Sequence, residues 1–227
     1  SKAVAEAHNT ALGEALEYLH THAGYTRVHN PVSGRKDLVR LPGLVAAAYQ
    51  HETSRAGDPH LHTHVLVPNK QARTDGVLVA IDSDALWHEA KAAGIIYQTV
   101  LRQELNASLG VEWDRVDPHS GMAEIAGVDR AVLTAASQRS TQLSAWASKN
   151  LVVDSVGVSA AQLARAQKAT RPRKPEHRPW AELRAEWAGR FGGELVIDEA
   201  AQQRAREQRL AAAAGAVMEW VNAAVAG

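Results

Sequence analysis

The sequence of 227 residues contains no cysteine, so disulfides and thiolate metal sites are excluded, and any metal ion must be bound by histidines or carboxylates. It also lacks an apolar run long enough to span a bilayer and a signal-peptide pattern at its start. We therefore expect no membrane span and a cytoplasmic location. Neither charge is in excess, since 25 basic residues balance 25 acidic ones. This excludes nucleic-acid binding through overall charge, so local basic patches would have to supply it.

The apolar content of 45% is enough for one globular domain, alone or with a helical extension. Helical and strand patterns alternate up to about residue 127, and almost only helical patterns follow. The patterns predict an α/β (α+β) fold in which helices flank a central antiparallel sheet. Residues 1–127 are expected to form the mixed α/β core. Residues 128–227 are expected to form a helical part, either within the same domain or as an extension.

Four histidines lie within fourteen residues, and three of them have the spacing of metal ligands. His62 and His64 lie two positions apart in an apolar run (61–68) that predicts a β-strand, so their side chains point to the same face. A preceding apolar run (44–52) carries His51. The Gly-Asp-Pro turn signal between the runs predicts an antiparallel hairpin that brings the three imidazoles together. Three neutral imidazoles form a divalent-metal site with open positions, for which Zn²⁺, Mn²⁺ and Mg²⁺ remain candidates.

The fourth histidine, His60, directly follows Pro59 and is predicted to lie in the turn, outside the set of ligands. A single histidine is more often a packed or surface residue than a metal ligand. Three on one sheet face would be costly to bury without a shared partner. The cluster therefore favours a metal site.

A basic segment broken by prolines lies between residues 165 and 178. Its cationic members are Arg165, Lys168, Arg171, Arg173, Lys174 and Arg178. Glu176 is its only acidic residue. Two interpretations stay open. The segment is either a solvated linker or a mobile loop that closes over a phosphate backbone.

The histidine pattern resembles a known motif. His51-x10-His62-x-His64, within His-Glu-Thr-Ser-Arg-x-x-x-Pro-x-Leu-His-Thr-His, is similar to the three-histidine motif of conjugative relaxases of the TraI/TrwC (MobF) type, in the HUH endonuclease superfamily. Three further stretches resemble segments of that family, so that the resemblance covers most of the chain: Glu6-Ala-His-Asn9, Ser137-Gln-Arg139-Ser140, and Thr170-Arg171-x-x-Lys174.

The resemblance implies an enzyme that nicks single-stranded DNA at an origin of transfer, using a divalent metal and a tyrosine that retains the 5′ phosphate. Other relaxosome proteins would be further partners. For this chain, metal ligation is expected from His51, His62 and His64, and DNA contacts are expected from Arg55, Arg139, Ser140, Arg171 and Lys174.

The nucleophile is not found by this comparison. Relaxases of this type carry their nucleophilic tyrosines, and an aspartate on a strand, ahead of the helix with which this chain opens. Its four tyrosines, Tyr18, Tyr25, Tyr49 and Tyr97, do not match the nucleophile position. We expect the nucleophile to lie upstream of Ser1, and we expect the chain alone to contain no catalytic residue and not to cleave DNA.

Two alternatives come from other functional classes. A metal-dependent hydrolase with a three-histidine site would need no tyrosine, but Glu52 is the only carboxylate near the cluster in a position to act as general base. A remnant that binds metal or single-stranded DNA without cutting it is the second alternative.

Overall fold

The computed structural model describes residues 2–151, 159–173, 178–191 and 197–226. Within them lie seven helices: α1 (Lys2–Ala23), α2 (Ser83–Leu109), α3 (Arg130–Ala135), α4 (Gln138–Asn150), α5 (Ala160–Ala169), α6 (Trp180–Arg190) and α7 (Glu199–Ala226). Six strands lie there too: β1 (Tyr25–His29), β2 (Lys36–Arg40), β3 (Ala47–Thr53), β4 (Pro59–Leu66), β5 (Lys70–Ala72) and β6 (Leu78–Ala80). The predicted mixed α/β class is confirmed. None of the described helices has the length and apolarity needed to cross a membrane.

The strands pair in sequence order as three two-stranded sheets, β1–β2, β3–β4 and β5–β6. Two of these sheets meet at an edge, because Thr26 of β1 forms an isolated bridge to Ile81. The Thr26 hydroxyl also donates a 2.7 Å hydrogen bond to the carbonyl of Ala80. The antiparallel sheet that carries the histidines is the β3–β4 hairpin.

The chain groups into two compact units, and each unit is built from separate stretches of the sequence. Unit 1 contains Ser1–Ala47, Leu66–Gly127 and Ile197–Gly227, and unit 2 contains Ala48–Val65 and Val128–Val196. The last helix thus belongs with the N-terminal part, and the histidine hairpin belongs with α3 to α6. The division into a mixed α/β core at residues 1–127 and a helical part at residues 128–227 stays a prediction.

In unit 1, α1 and α2 pack against each other along their length. Alanines on the buried face of α1, such as Ala7 and Ala11, let the two helix backbones approach closely. His8 Nδ1 lies 2.7 Å from the Tyr97 hydroxyl, and the Tyr18 hydroxyl donates to Glu89 at 2.5 Å. Because the early residue of α1 contacts the later residue of α2, the helices run antiparallel.

The ends of α2 are set by its sequence. The buried Asp82 caps the N-terminus by accepting from the backbone N–H of Asp84, and it pairs with Arg27 at 3.1 Å. Gly110 ends the helix with φ +67°, a left-handed conformation that favours glycine.

A loose hairpin over residues 111–127, bridged between Trp113 and Ile125, holds the start of α7. The Gln202 side chain exchanges two hydrogen bonds with the backbone of Glu112, at 2.7 and 3.1 Å. Arg209 forms a two-pronged ion pair with the buried Glu112 carboxylate, at 2.8 and 2.9 Å. This hydrogen bonding by Arg209 is the main reason that the pKa of Glu112 falls below its usual value.

Candidate metal centre

The predicted histidine hairpin is confirmed: β3 and β4 are neighbouring strands. They are joined by residues 54–58, a link too short for a parallel crossover, so the strands are antiparallel. The link closes through backbone bonds from Ser54 N–H to the Asp58 carbonyl (3.0 Å) and from Gly57 N–H to the Ser54 carbonyl (3.1 Å). Gly57 has φ +78°, which favours glycine at this position.

The prediction that His60 lies in the turn is wrong, because β4 already begins at Pro59. The turn closes between Ser54 and Asp58, and a proline without an N–H is tolerated at the first position of a strand. His60 therefore shares the parity of His62 and His64. Its ring stacks on that of His62, with a centroid separation of 4.6 Å and an interplanar angle of 19°.

The hairpin brings the three predicted ligands together. The ring centroids of His51, His62 and His64 form a triangle with sides of 5.3, 4.8 and 5.0 Å. Each residue offers a ring nitrogen, and these nitrogens all lie within 4.8 Å of one another. Among the described residues this is the only group of three or more histidines and carboxylates with metal-site spacing. His62 is half-buried, and the other two are exposed.

The donor set fits a divalent cation. A point at the centre of an equilateral triangle of side 4.8 Å lies about 2.8 Å from each corner, whereas metal–imidazole bonds measure about 2.0–2.1 Å. Ring movements of less than about 1 Å would therefore bring the three nitrogens to bonding distance. Three ligands from one hairpin leave the remaining coordination positions open to a substrate.

The backbone prepares His62 to be a ligand. Its Nδ1 lies 2.9 Å from the carbonyl oxygen of His60, which can only accept, so Nδ1 carries the proton. In the neutral ring this leaves the lone pair on Nε2 for coordination, an orienting bond that is common at metal sites. Burial, and secondly the nearby His62, lower the pKa of His60 and favour its neutral form.

A buried carboxylate that sequence reasoning missed holds the turn of the hairpin in place. Asp58 is 3% exposed and accepts a 2.8 Å hydrogen bond from the Ser54 hydroxyl. It also accepts from the backbone N–H groups of Gln138 (3.2 Å) and Arg139 (3.0 Å), at the first turn of α4. Ser137, the N-cap residue by position, makes no side-chain cap bond. Asp58 therefore caps α4 from a different part of the chain.

Helix α6 fixes the same turn from a second direction. Arg190 pairs with Asp58 at 3.3 Å, and both side chains are largely buried. The Trp187 indole N–H donates a 2.8 Å bond to the carbonyl of Gly57. The sequence identifies Gly57 and Asp58 as turn formers, but no local signal points to the helices that they contact.

Two of the predicted DNA-binding arginines are engaged within unit 2. Arg139 donates to the carbonyls of Thr170 (2.8 Å) and Gln167 (3.2 Å), so its guanidinium closes the C-terminal end of α5. Arg55, in the hairpin turn, donates to the carbonyl of Pro172 at 3.3 Å. The Arg55 bond thus ties Pro172, within the basic segment, to the turn of the histidine hairpin, and the Arg139 bonds tie the end of α5 to α4.

The remaining predicted contacts differ in position. Ser140 is exposed on the first turn of α4, and Arg171 is exposed directly after the C-cap of α5. Lys174 lies outside the described residues. The first part of the basic segment, through Ala169, is helical, and the predicted loop begins only after it.

Comparison with known proteins gives a consistent result. The family model described as TrwC relaxase matches residues 1–192. The Multifunctional conjugation protein TraI of Escherichia coli is 33% identical over 217 residues, which is 92% of this chain and 11% of that protein. The chain thus spans about a tenth of the curated relative that it matches.

Solved structures of the conjugative relaxase TrwC are similar to most of this chain. TrwC in complex with oriT DNA, free of metal, superposes with a TM-score of 0.74 at 28% identity, covering 85% of this chain and 65% of the TrwC chain. Its metal-bound complex with oriT DNA has a TM-score of 0.74 at 30% identity, covering 87% and 66%. A copper-bound complex has a TM-score of 0.73 at 29% identity, covering 86% and 64%. On the match of the family model to most of its length, this chain belongs to the TrwC relaxase family.

Proposed function

We propose that this chain is the metal-binding and DNA-binding part of a conjugative relaxase that nicks single-stranded origin-of-transfer DNA in the cytoplasm. The observation that carries the proposal is the convergence of His51, His62 and His64 on one hairpin within a chain of the TrwC relaxase family. The solved TrwC complexes with oriT DNA, one of them metal-bound, support it.

In this proposal the three histidines hold one divalent cation. When bound, the cation supplies Lewis-acid polarisation of the scissile phosphate. Neutral imidazoles leave the positive charge of the site undiminished on its open side, where the phosphate would lie. The carbonyl of His60 keeps a proton on Nδ1 of His62, so that Nε2 is the nitrogen left to coordinate the cation.

We further propose that no tyrosine of this chain is the nucleophile. The hydroxyl of Tyr18 is committed to Glu89, and this hydrogen bond raises the pKa of Tyr18. Burial raises the pKa of Tyr97, whose hydroxyl contacts His8. A raised pKa opposes formation of the attacking phenolate. Tyr49 lies on β3 two residues before His51. We assign it a packing role beside the metal centre rather than attack on the phosphate.

DNA binding is proposed to use Arg55, Arg139, Ser140, Arg171 and Lys174. The bonds from Arg55 and Arg139 to residues 167–172 support this, because they hold the start of the basic segment in the same unit as the histidine hairpin. Since phosphate contacts release counterions, we expect affinity for single-stranded DNA to fall steeply with salt.

The metal assignment is tested by calorimetric titration of the metal-free chain with Mn²⁺ and Zn²⁺. Wild type is expected to bind one ion, and His62→Ala is expected to bind at least about tenfold more weakly because an inner ligand is lost. His88→Ala, which changes an exposed histidine on α2, is the matched control and should bind like wild type. Equal affinity in His62→Ala and wild type would refute the assignment.

A second experiment separates relaxase from hydrolase chemistry. The chain is incubated with a labelled single-stranded origin-of-transfer oligonucleotide and Mn²⁺. We expect DNA binding without cleavage and without a covalent protein–DNA adduct. Metal-dependent cleavage with no adduct, lost in His62→Ala, would instead indicate the hydrolase.

A further inference from the structure

Unit 2 exposes an aromatic side chain directly after the basic segment. Trp180 is the first residue of α6, and 48% of its surface is exposed. Its ring meets Trp187 edge to face, with a centroid separation of 5.5 Å and an interplanar angle of 84°. The geometry gives Trp180 a fixed support on one side and an open surface on the other.

The support leads to the metal centre. Trp187 donates its indole N–H to the carbonyl of Gly57, in the turn of the histidine hairpin. Gly57 precedes His62 by five residues, at most about 17 Å of extended chain. Trp180 is thus connected to the turn of the histidine hairpin through two direct contacts, its own with Trp187 and that of Trp187 with Gly57.

The charges around Trp180 permit an anionic ligand. Glu182 and Glu186 lie on the same helix, but both pair with Arg178, and Glu186 also pairs with Arg190. Arg171 and Arg173, which precede Arg178 in the basic segment, are also exposed. The acidic groups of α6 are therefore neutralised, and cations precede the tryptophan in the chain.

Exposure alone would not single out this residue, because Trp87 on α2 is 81% exposed and isolated apolar side chains are normal on protein surfaces. Trp87 belongs to unit 1, whereas Trp180 and the turn of the histidine hairpin belong to unit 2. Trp180 differs in combining a buttressed ring, a neighbouring basic segment and a contact path to the hairpin turn.

We propose that Trp180 is a base-stacking subsite for single-stranded DNA, holding a nucleotide that flanks the scissile phosphate. This rests on the proposed function. Single-stranded nucleic acids bind where cationic side chains follow the backbone and aromatic rings stack on bases, and every base offers a face for stacking. The subsite therefore contributes affinity with little preference for sequence.

The test is fluorescence anisotropy of a labelled oligothymidylate titrated with the full chain. Loss of one stacked base corresponds to about 5- to 150-fold weaker binding, which we expect for Trp180→Ala. Trp180→Phe keeps a stacking ring and is expected to retain most of the affinity. Trp87→Ala, the matched control, should bind like wild type.

The salt dependence separates stacking from a merely structural role. Because stacking is not ionic, the slope of log affinity against log salt should be the same in Trp180→Ala and wild type, whereas loss of a phosphate contact lowers the slope by about one. Unchanged affinity in Trp180→Ala, or equal losses in the alanine and phenylalanine variants, would refute the subsite alone. Failure of the wild-type chain to bind the oligothymidylate would also refute the subsite, whereas failure to bind the origin-of-transfer oligonucleotide would refute the proposed function.

Discussion

The replacement of Asp58 by alanine should destabilise unit 2 more than any exposed acidic replacement. The carboxylate is 3% exposed and accepts hydrogen bonds from Ser54, from the first turn of α4 and from Arg190. Its removal leaves the N–H groups of α4 without a cap and a largely buried guanidinium with one partner fewer.

The magnitude follows from these contacts. Loss of a helix cap costs about 1 kcal/mol. Removal of one partner from a buried ion pair costs about 3–5 kcal/mol, but Arg190 keeps Glu186, so about 2 kcal/mol is the better value here. The total of about 3 kcal/mol is a large part of the roughly 5–15 kcal/mol that stabilises a typical domain. Asp58→Asn keeps an acceptor oxygen for α4 and should cost about 1 kcal/mol.

Urea denaturation followed by tryptophan fluorescence measures this difference, since Trp187 contacts the same turn. Asp75→Ala is the matched control. Asp75 pairs with Arg73 within an exposed turn, and solvent screening leaves such a pair with little effect on stability. If the free energy of unfolding of Asp58→Ala lies within about 0.5 kcal/mol of the wild-type value, Asp58 does not anchor the hairpin.

Three further predictions concern other parts of the chain. Arg209 lowers the pKa of Glu112 below its usual 4.5, so the pair stabilises the fold above that pH. This stabilisation is lost as the pH falls through the lowered pKa. In Glu112→Gln, the fall in melting temperature that this pair causes at acid pH should be absent. Arg139→Lys should lower the free energy of unfolding by about 1 kcal/mol, because lysine lacks the fork that reaches two carbonyls. Arg171→Ala should leave stability unchanged and should lower the slope of log affinity for DNA against log salt by about one. Neither the wild-type chain nor Tyr49→Phe should form a covalent protein–DNA adduct, and an adduct on the wild-type chain that is lost in this variant would identify Tyr49 as the nucleophile.

The sequence by itself determined the local elements and the composition of the candidate site. Strand alternation predicted that His62 and His64 share a face, and their ring centroids lie 5.0 Å apart. These features depend on the backbone period and on neighbouring residues, which a sequence pattern contains. The turn signal at Gly57 was likewise local, and it was enough to predict the hairpin that places His51 beside the other two histidines.

Only the tertiary structure decided how these elements are held. The strand position of His60 depends on where the turn closes, and the cap that Asp58 provides for α4 joins residues 80 positions apart. The guanidinium of Arg139, which we propose as a DNA contact, also closes α5 through bonds to residues about 30 positions away. Such roles depend on which distant backbone groups lack partners, and that is fixed by packing rather than by any pattern along the chain.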